Sequence, residues 1–284
     1  MSINTHINNW IDRADIVMDY YTLFIKAWIP YNAWYMHNFY DETSTPRRDR
    51  DVAIISYINS TSNRYRDKIK SLLRGPDEAS KLFRELLGNL HSELEANPIP
   101  DDENRISFST VSLYKNNTKI YSQSIKQFVY FVEFRDSLPK DTKRWFLEVQ
   151  KRSNNQTIHR VELFNWSMGE LNNNLDFIDI PDREKKKQLT DAFLKINPRK
   201  PVTIVIPPVS RKSRLIRPNN SMTIDAKKHI YFTNDFDLVS KGVVQLLYEL
   251  RCKLFHGELD PIESNSGIYR FAYEIQKILI KELK

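Results

Sequence analysis

The stretch LLYELRCKLFHGELDP, Leu246 to Pro261, decides the reading of this chain. Its apolar residues continue a stripe that starts near Asp235, with Leu238, Val239, Val243, Leu246, Leu247, Leu250 and Leu254 at helical spacing, so one face of a long helix is committed to a core. Gly257 suits the left-handed position just past a helix end, and Pro261 keeps the helix from resuming. Arg251 and His256 are five positions apart, about 140° around an ideal helix, so they would face different sides of an uninterrupted one. Ending the helix at Gly257 places His256 in the last turn, where its ring can swing toward Arg251.

Histidine can move a proton near neutral pH, whereas arginine keeps its charge and offers a planar fork to a phosphate. The two together suit RNA cleavage by internal attack, in which the 2′-hydroxyl displaces the 5′-oxygen of the next nucleotide. That chemistry calls for neither a metal ion nor a cofactor. By spacing alone, the same residues also read as a helix-capping histidine and an arginine in a surface ion pair with Glu249 or Glu258.

Outward from this stretch, the first hundred residues read as helical. From Ile11 to Tyr40 the spacing of Ile16, Tyr20, Leu23, Ala27, Ile29 and Trp34 predicts a helix that Pro30 splits into two pieces. Asp49 to Leu73 carries Val52, Ile55, Ile58, Tyr65, Ile69 and Leu72 on one stripe, stopped by Gly75-Pro76, and a shorter helix spans Glu78 to Leu94. Ile268 to Leu283 gives the final amphipathic helix.

Between residues 101 and 208 the period changes. Ile106 to Tyr114, Lys119 to Phe134, Trp145 to Lys151 and Ile158 to Phe164 read as antiparallel strands, Asp182 to Ile196 as a charged amphipathic helix, and Val202 to Ile206 as a short β-branched run. The basic run RKSRLIR follows, in which Arg211, Lys212, Arg214 and Arg217 read either as a solvated loop or as a strip that contacts phosphates.

Composition sets outer limits. With 284 residues, 40% of them hydrophobic, the chain can bury one core or two, and its formal charge of +7 favours polyanionic partners. Cys252 is the single cysteine, so no internal disulfide or cysteine zinc cage is expected and a reducing cytoplasm is the expected location. No apolar run approaches a membrane span, and the opening MSINTHINNWIDRAD lacks a signal core, so an unprocessed chain with no membrane partner is expected. The chain has only 6 glycines, which excludes a P-loop or a dinucleotide fingerprint, and His159 and His229 have no ligand spacing that would predict a metal site.

RCKLFHG, Arg251 to Gly257, preceded by LLYEL and followed by the helix IYRFAYEIQKILI, resembles the HEPN superfamily (higher eukaryotes and prokaryotes nucleotide-binding domains). WIPYNAWY, Trp28 to Tyr35, and DRDVAIISYI, from Asp49, look like the first helices of bacterial HEPN proteins. The resemblance implies an α+β chain. An all-α bundle would be built from residues 1–100 and 230–284, with a β-rich insertion over 101–229. It also implies a metal-independent endoribonuclease, with Arg251 and His256 as the catalytic pair, completed in a homodimer that shares a composite active site. RNA is the implied substrate, and a toxin or antiviral defence effector the implied role, partnered by an antitoxin or a trigger protein. Beside the pair, Lys253 reads as an RNA-backbone contact or a solvated lysine, Asn32 as a phosphate-orienting group or a buried asparagine satisfied by backbone, and the Arg211 to Arg217 run as a further RNA contact.

The family commonly has Asn, Asp or His after the arginine, where this chain has Cys252, and members paired with a nucleotidyltransferase antitoxin often have a tyrosine where this chain has Glu258. The alternative reading is a catalytically inactive HEPN module that binds RNA, a nucleotide or a protein partner.

Overall fold

Asp182 donates no helical residue of its own, yet its carboxylate accepts hydrogen bonds from the backbone N–H groups of Glu184 and Lys185, and the helix it caps is the one expected from its sequence. Caps of this kind set most helix starts in the computed structural model, which describes residues 19–100, 105–115, 118–139, 141–211 and 214–283. The expected stripe residue Ile16 lies outside the described residues.

In chain order the elements are α1 (Tyr20–Phe39), α2 (Asp51–Ser60), α3 (Arg64–Arg74), α4 (Glu78–Ala96), β1 (Val111–Lys115), β2 (Ile120–Ile125), β3 (Phe128–Phe134), β4 (Trp145–Lys151) and β5 (Thr157–Leu163). There follow α5 (Met168–Asn173), α6 (Leu175–Ile178), α7 (Arg183–Lys195), β6 (Arg199–Val202), β7 (Val209–Arg211), β8 (Arg214–Ile216), β9 (Ser221–Asp225), β10 (Ile230–Thr233), α8 (Phe236–Phe255) and α9 (Glu263–Ile280). The chain is thus a mixed α+β protein. Among the described residues, no helix is long and apolar enough to cross a membrane.

Among the described residues, one unit gathers those of 19–100, 105–111 and 202–283, and the other those of 112–201. The stretch 101–229 therefore contributes to both. In the first unit α9 packs along α1 and α4, and α8 packs on α2 and α3. Hydroxyls bind across sequence-distant partners: Tyr21 Oη donates to the Ile262 carbonyl at 2.7 Å, Tyr269 Oη to the Leu250 carbonyl at 3.0 Å, and Tyr65 Oη to Gln276 Oε1. The rings of Tyr31 and Tyr65 stack with centroids 4.2 Å apart in the same core.

Three expectations for this unit are corrected. Helix α1 runs unbroken through Pro30. Tyr21, Phe24, Ala27, Trp28, Tyr31, Trp34 and Tyr35 are buried on both sides of the proline, and that packing outweighs the roughly 3 kcal/mol an internal proline costs. The buried stripe is rotated from the expected one, leaving Ile29 59% exposed. The expected Asp49 to Leu73 helix is two helices, because Asn63 caps α3 by accepting from the Arg66 N–H at 3.1 Å. Third, the hairpin of β9 and β10 was unexpected; it packs on α4 where a Cβ at Gly88 would come within 3.0 Å of Asp225 Cβ.

Arg66 accounts for the α2–α3 corner. Only 2% exposed, it donates to the carbonyls of Asn59 at 3.0 Å and Thr61 at 2.8 Å, to Ser240 Oγ at 3.2 Å, and to the Asp237 carboxylate. One guanidinium thereby satisfies carbonyls at the end of α2 and fixes the start of α8.

The second unit is an antiparallel meander in the order β2-β3-β4-β5, with α7 packed on one face. Val132, Leu147, Val149, Val161 and Leu163 face α7 residues Leu189, Ala192 and Phe193 in its core. The expected single segment Lys119 to Phe134 is a hairpin turning at Lys126-Gln127, and of Ile106 to Tyr114 only the end from Val111 is strand. The expected run Val202 to Ile206 is strand only at Val202, with Val205 in an isolated bridge to Phe232.

Candidate functional site

Helix α8 begins at Asp235, whose carboxylate accepts from the Leu238 N–H at 2.9 Å. It ends in a Schellman motif: the Gly257 N–H donates to the Leu254 carbonyl at 3.1 Å and the Glu258 N–H to the Lys253 carbonyl at 3.0 Å. Gly257 adopts φ +64° with open space around its Cα, so backbone freedom and not packing selects glycine. The turn leaves His256 as the C-cap residue, exposed to solvent.

Arg251 has turned elsewhere. Its guanidinium lies 3.0 Å from the Asp51 carboxylate and 4.1 Å over the Phe255 ring, while its buried Nε has no acceptor. Neither Glu249 nor Glu258 is the ion-pair partner; Glu258 instead holds the Lys253 ammonium at 2.7 Å. Within one chain, then, the guanidinium is fixed by α2 and its own helix, and no hydrogen bond joins it to the imidazole.

Asp51 is the first residue of α2, whose N-cap Arg50 supplies no side-chain cap, so its carboxylate sits at the positive end of the helix as well as beside Arg251. Behind it stand two residues of α1. Asn32 Nδ2 donates to Tyr35 Oη. Burial pushes the Tyr35 hydroxyl up to about 12, with the Asp51 charge acting in the same direction and the Asn32 hydrogen bond opposing it. Tyr248, one turn before Cys252, is likewise raised, first by burial and then by Cys252 and Asp51, with Arg251 working against them. The result is a polar cluster of Asn32, Tyr35, Asp51, Tyr248, Cys252 and Arg251 beneath an exposed helix end.

Of the expected site residues, Arg251 and Asn32 belong to this cluster, and His256 is the exposed C-cap residue of the helix that carries Arg251. Lys253 is engaged by Glu258. The Arg211 to Arg217 run is a hairpin, β7 paired with β8, with Val209 opposite Ile216 and Arg211 opposite Arg214. Arg211 is exposed, and Arg217 donates to the Ser221 carbonyl. Lys212 lies outside the described residues, and of Arg214 only the backbone is described.

Tyr35, Asp51 and Tyr248 were not expected. Asp51 and Tyr35 sit inside the stretches DRDVAIISYI and WIPYNAWY, but no spacing rule connects them to Arg251, 200 positions later for Asp51. Among the described residues no group of three His, Cys, Asp or Glu is arranged to hold a metal ion. Comparison with known protein families, with curated proteins and with solved structures gives no match for this chain.

Proposed function

We propose that the protein is an endoribonuclease of the HEPN type that works without a metal ion and acts as a homodimer. The observation that carries this reading is the end of α8. There a left-handed glycine leaves His256 open to solvent while Asp51 and Phe255 hold Arg251 one turn and a half earlier. The three stretches that resemble the family, WIPYNAWY, DRDVAIISYI and RCKLFHG, each give a residue to one polar cluster, which supports the same reading.

In the proposed reaction an imidazole takes the proton of the 2′-hydroxyl, and the 2′-oxygen forms a bond to the adjacent phosphorus. The P–O5′ bond then breaks, and an imidazolium returns a proton to the departing 5′-oxygen. The products are a 2′,3′-cyclic phosphate and a 5′-hydroxyl. Arg251 balances the charge that gathers on the phosphoryl oxygens. One histidine cannot act as base and acid in the same step, so two copies of His256, one from each protomer, complete the site. Around the cluster Val52 and Phe255 are 58% and 52% exposed, and Ile29 stands one turn before Asn32, an apolar rim that a second copy would cover. The role of toxin or antiviral defence effector, with an antitoxin or a trigger protein as partner, rests on the resemblance.

The test is incubation of the purified protein with labelled single-stranded RNA in EDTA. Fragments ending in cyclic phosphate, lost in Arg251→Ala and His256→Ala variants that still fold, are the expected result; cleavage retained by both variants refutes the assignment. The inactive-module reading is favoured by the Asp51–Arg251 pair, which neutralises the guanidinium in the single chain, and it predicts RNA bound and left intact.

A further inference from the structure

At one end of the four-stranded sheet the β2–β3 and β4–β5 turns lie side by side, tied by a hydrogen bond from the Arg152 N–H to the Gln127 carbonyl at 2.8 Å. Lys126, Gln127, Phe128, Lys151, Arg152 and Ser153 line a cleft there of about 470 Å³. The Lys126, Lys151 and Arg152 side chains are exposed, and none of them has an acidic partner among the described residues. The next cation, Lys185, lies 4.4 Å over the Phe128 ring, but Asp182 balances it at 2.9 Å.

Three like charges around one concavity repel one another, and no carboxylate among the described residues pairs with any of them. Lys126 stands at the first position of the β2–β3 turn. It occupies the left-handed region at φ 51°, where a β-carbon is strained and glycine or asparagine would turn the chain with less strain. An inorganic anion would fill little of the cleft, whereas its volume, the Phe128 edge and the Gln127 and Ser153 polar groups suit a larger molecule that carries phosphate.

We infer that this cleft binds a nucleotide through its phosphates, whether free in solution or at the end of an RNA strand. Lys126, Lys151 and Arg152 hold the phosphates, Gln127 and Ser153 offer hydrogen bonds, and Phe128 gives an apolar wall. The site lies within the second unit and does not depend on the reaction proposed for Arg251 and His256.

The test titrates the full chain with ATP, with inorganic phosphate and with a fully 2′-O-methylated RNA oligomer bearing a 5′-phosphate, which cannot undergo internal attack. ATP or the oligomer saturates the protein and inorganic phosphate binds more weakly. Arg152→Gln and Lys126→Gly each weaken the binding on the order of tenfold. Lys126→Gly also reports on folding, because it eases the turn and leaves thermal stability equal or higher. Tighter binding of ATP assigns a free nucleotide and tighter binding of the oligomer a strand end, either in support. The inference is overturned if neither probe saturates the protein, or if both variants bind as tightly as the unaltered chain.

Discussion

The Asp51 carboxylate at the first turn of α2 lies 3.0 Å from the Arg251 guanidinium near the end of α8. This contact joins residues 200 positions apart and sets the direction in which the guanidinium points. Asp51→Asn keeps the shape and removes the charge. Because both side chains retain partial solvent access, the expected loss of stability is about 1 kcal/mol, measured by urea unfolding. Under the proposed ribonuclease reading, RNA turnover at saturating substrate falls by about tenfold, since a guanidinium without its tether is held less firmly in one orientation. Unchanged turnover would mean that the ion pair has no part in positioning Arg251.

Gly257→Ala isolates the helix end. Nothing stands within 4 Å of the added carbon, so the effect comes from the backbone alone, and stability drops by about 1 kcal/mol. Gly257→Asn, with its better tolerance of the left-handed region, recovers part of the loss. Chemical denaturation of the two variants side by side checks the order.

Removing the proline from α1 goes the other way. Pro30 is exposed and in mid-helix, so Pro30→Ala restores a donor to the Lys26 carbonyl without disturbing the buried aromatic face. The melting temperature rises, corresponding to about 1–3 kcal/mol. A fall would show that a bend at this point is needed for the packing of Trp28 and Tyr31.

Arg66→Met breaks the polar corner between α2, α3 and α8. The Asn59 carbonyl loses its guanidinium donor, while the Thr61 carbonyl keeps Asn63 Nδ2 and the Asp237 carboxylate keeps Lys241, so the expected cost is about 2–3 kcal/mol. Asp237→Asn, altering the half-exposed end of the same contact, costs far less. Comparing the two by equilibrium unfolding separates the backbone hydrogen bonds from the ion pair.

Stability also depends on pH through His91. Burial holds its pKa below the ordinary 6.5, with Arg105 acting in the same direction and Glu95 opposing. The folded state therefore keeps the ring neutral while the unfolded chain takes up a proton. Stability is full above about pH 6.5 and declines as the pH falls through that value toward the lower folded pKa. His91→Gln flattens that part of a stability–pH curve and leaves the decline caused by carboxylates at lower pH.

Local signals were legible where capping chemistry repeats within a few residues. Asp182, Asp235 and Gly257 mark helix ends in the sequence and do so in the fold. Strand β4 is found where β-branched and aromatic residues predicted it, over Trp145–Lys151. Pro30 misled because a penalty of a few kcal/mol is small beside seven buried side chains on one helix. The break at Asn63 rests on a local cap, which the continuous apolar stripe from Val52 to Leu72 masks, and the corner it opens is held by Arg66, whose partner Asp237 lies 171 residues away. Arg251 and Asn32 could be singled out from their surroundings in the chain, whereas Asp51 and Tyr35 gain their meaning only once α1, α2 and α8 meet.

Arg66 needs Asp237, Tyr21 needs the backbone at Ile262, and Tyr65 needs Gln276, so helices α1 and α3 cannot complete these polar contacts until the ribosome has passed residue 276. The strands of the meander and α7, all contained between residues 112 and 201, have no such wait. Vectorial synthesis therefore yields a finished sheet while Tyr21, Arg66 and Tyr65 still await partners that emerge later.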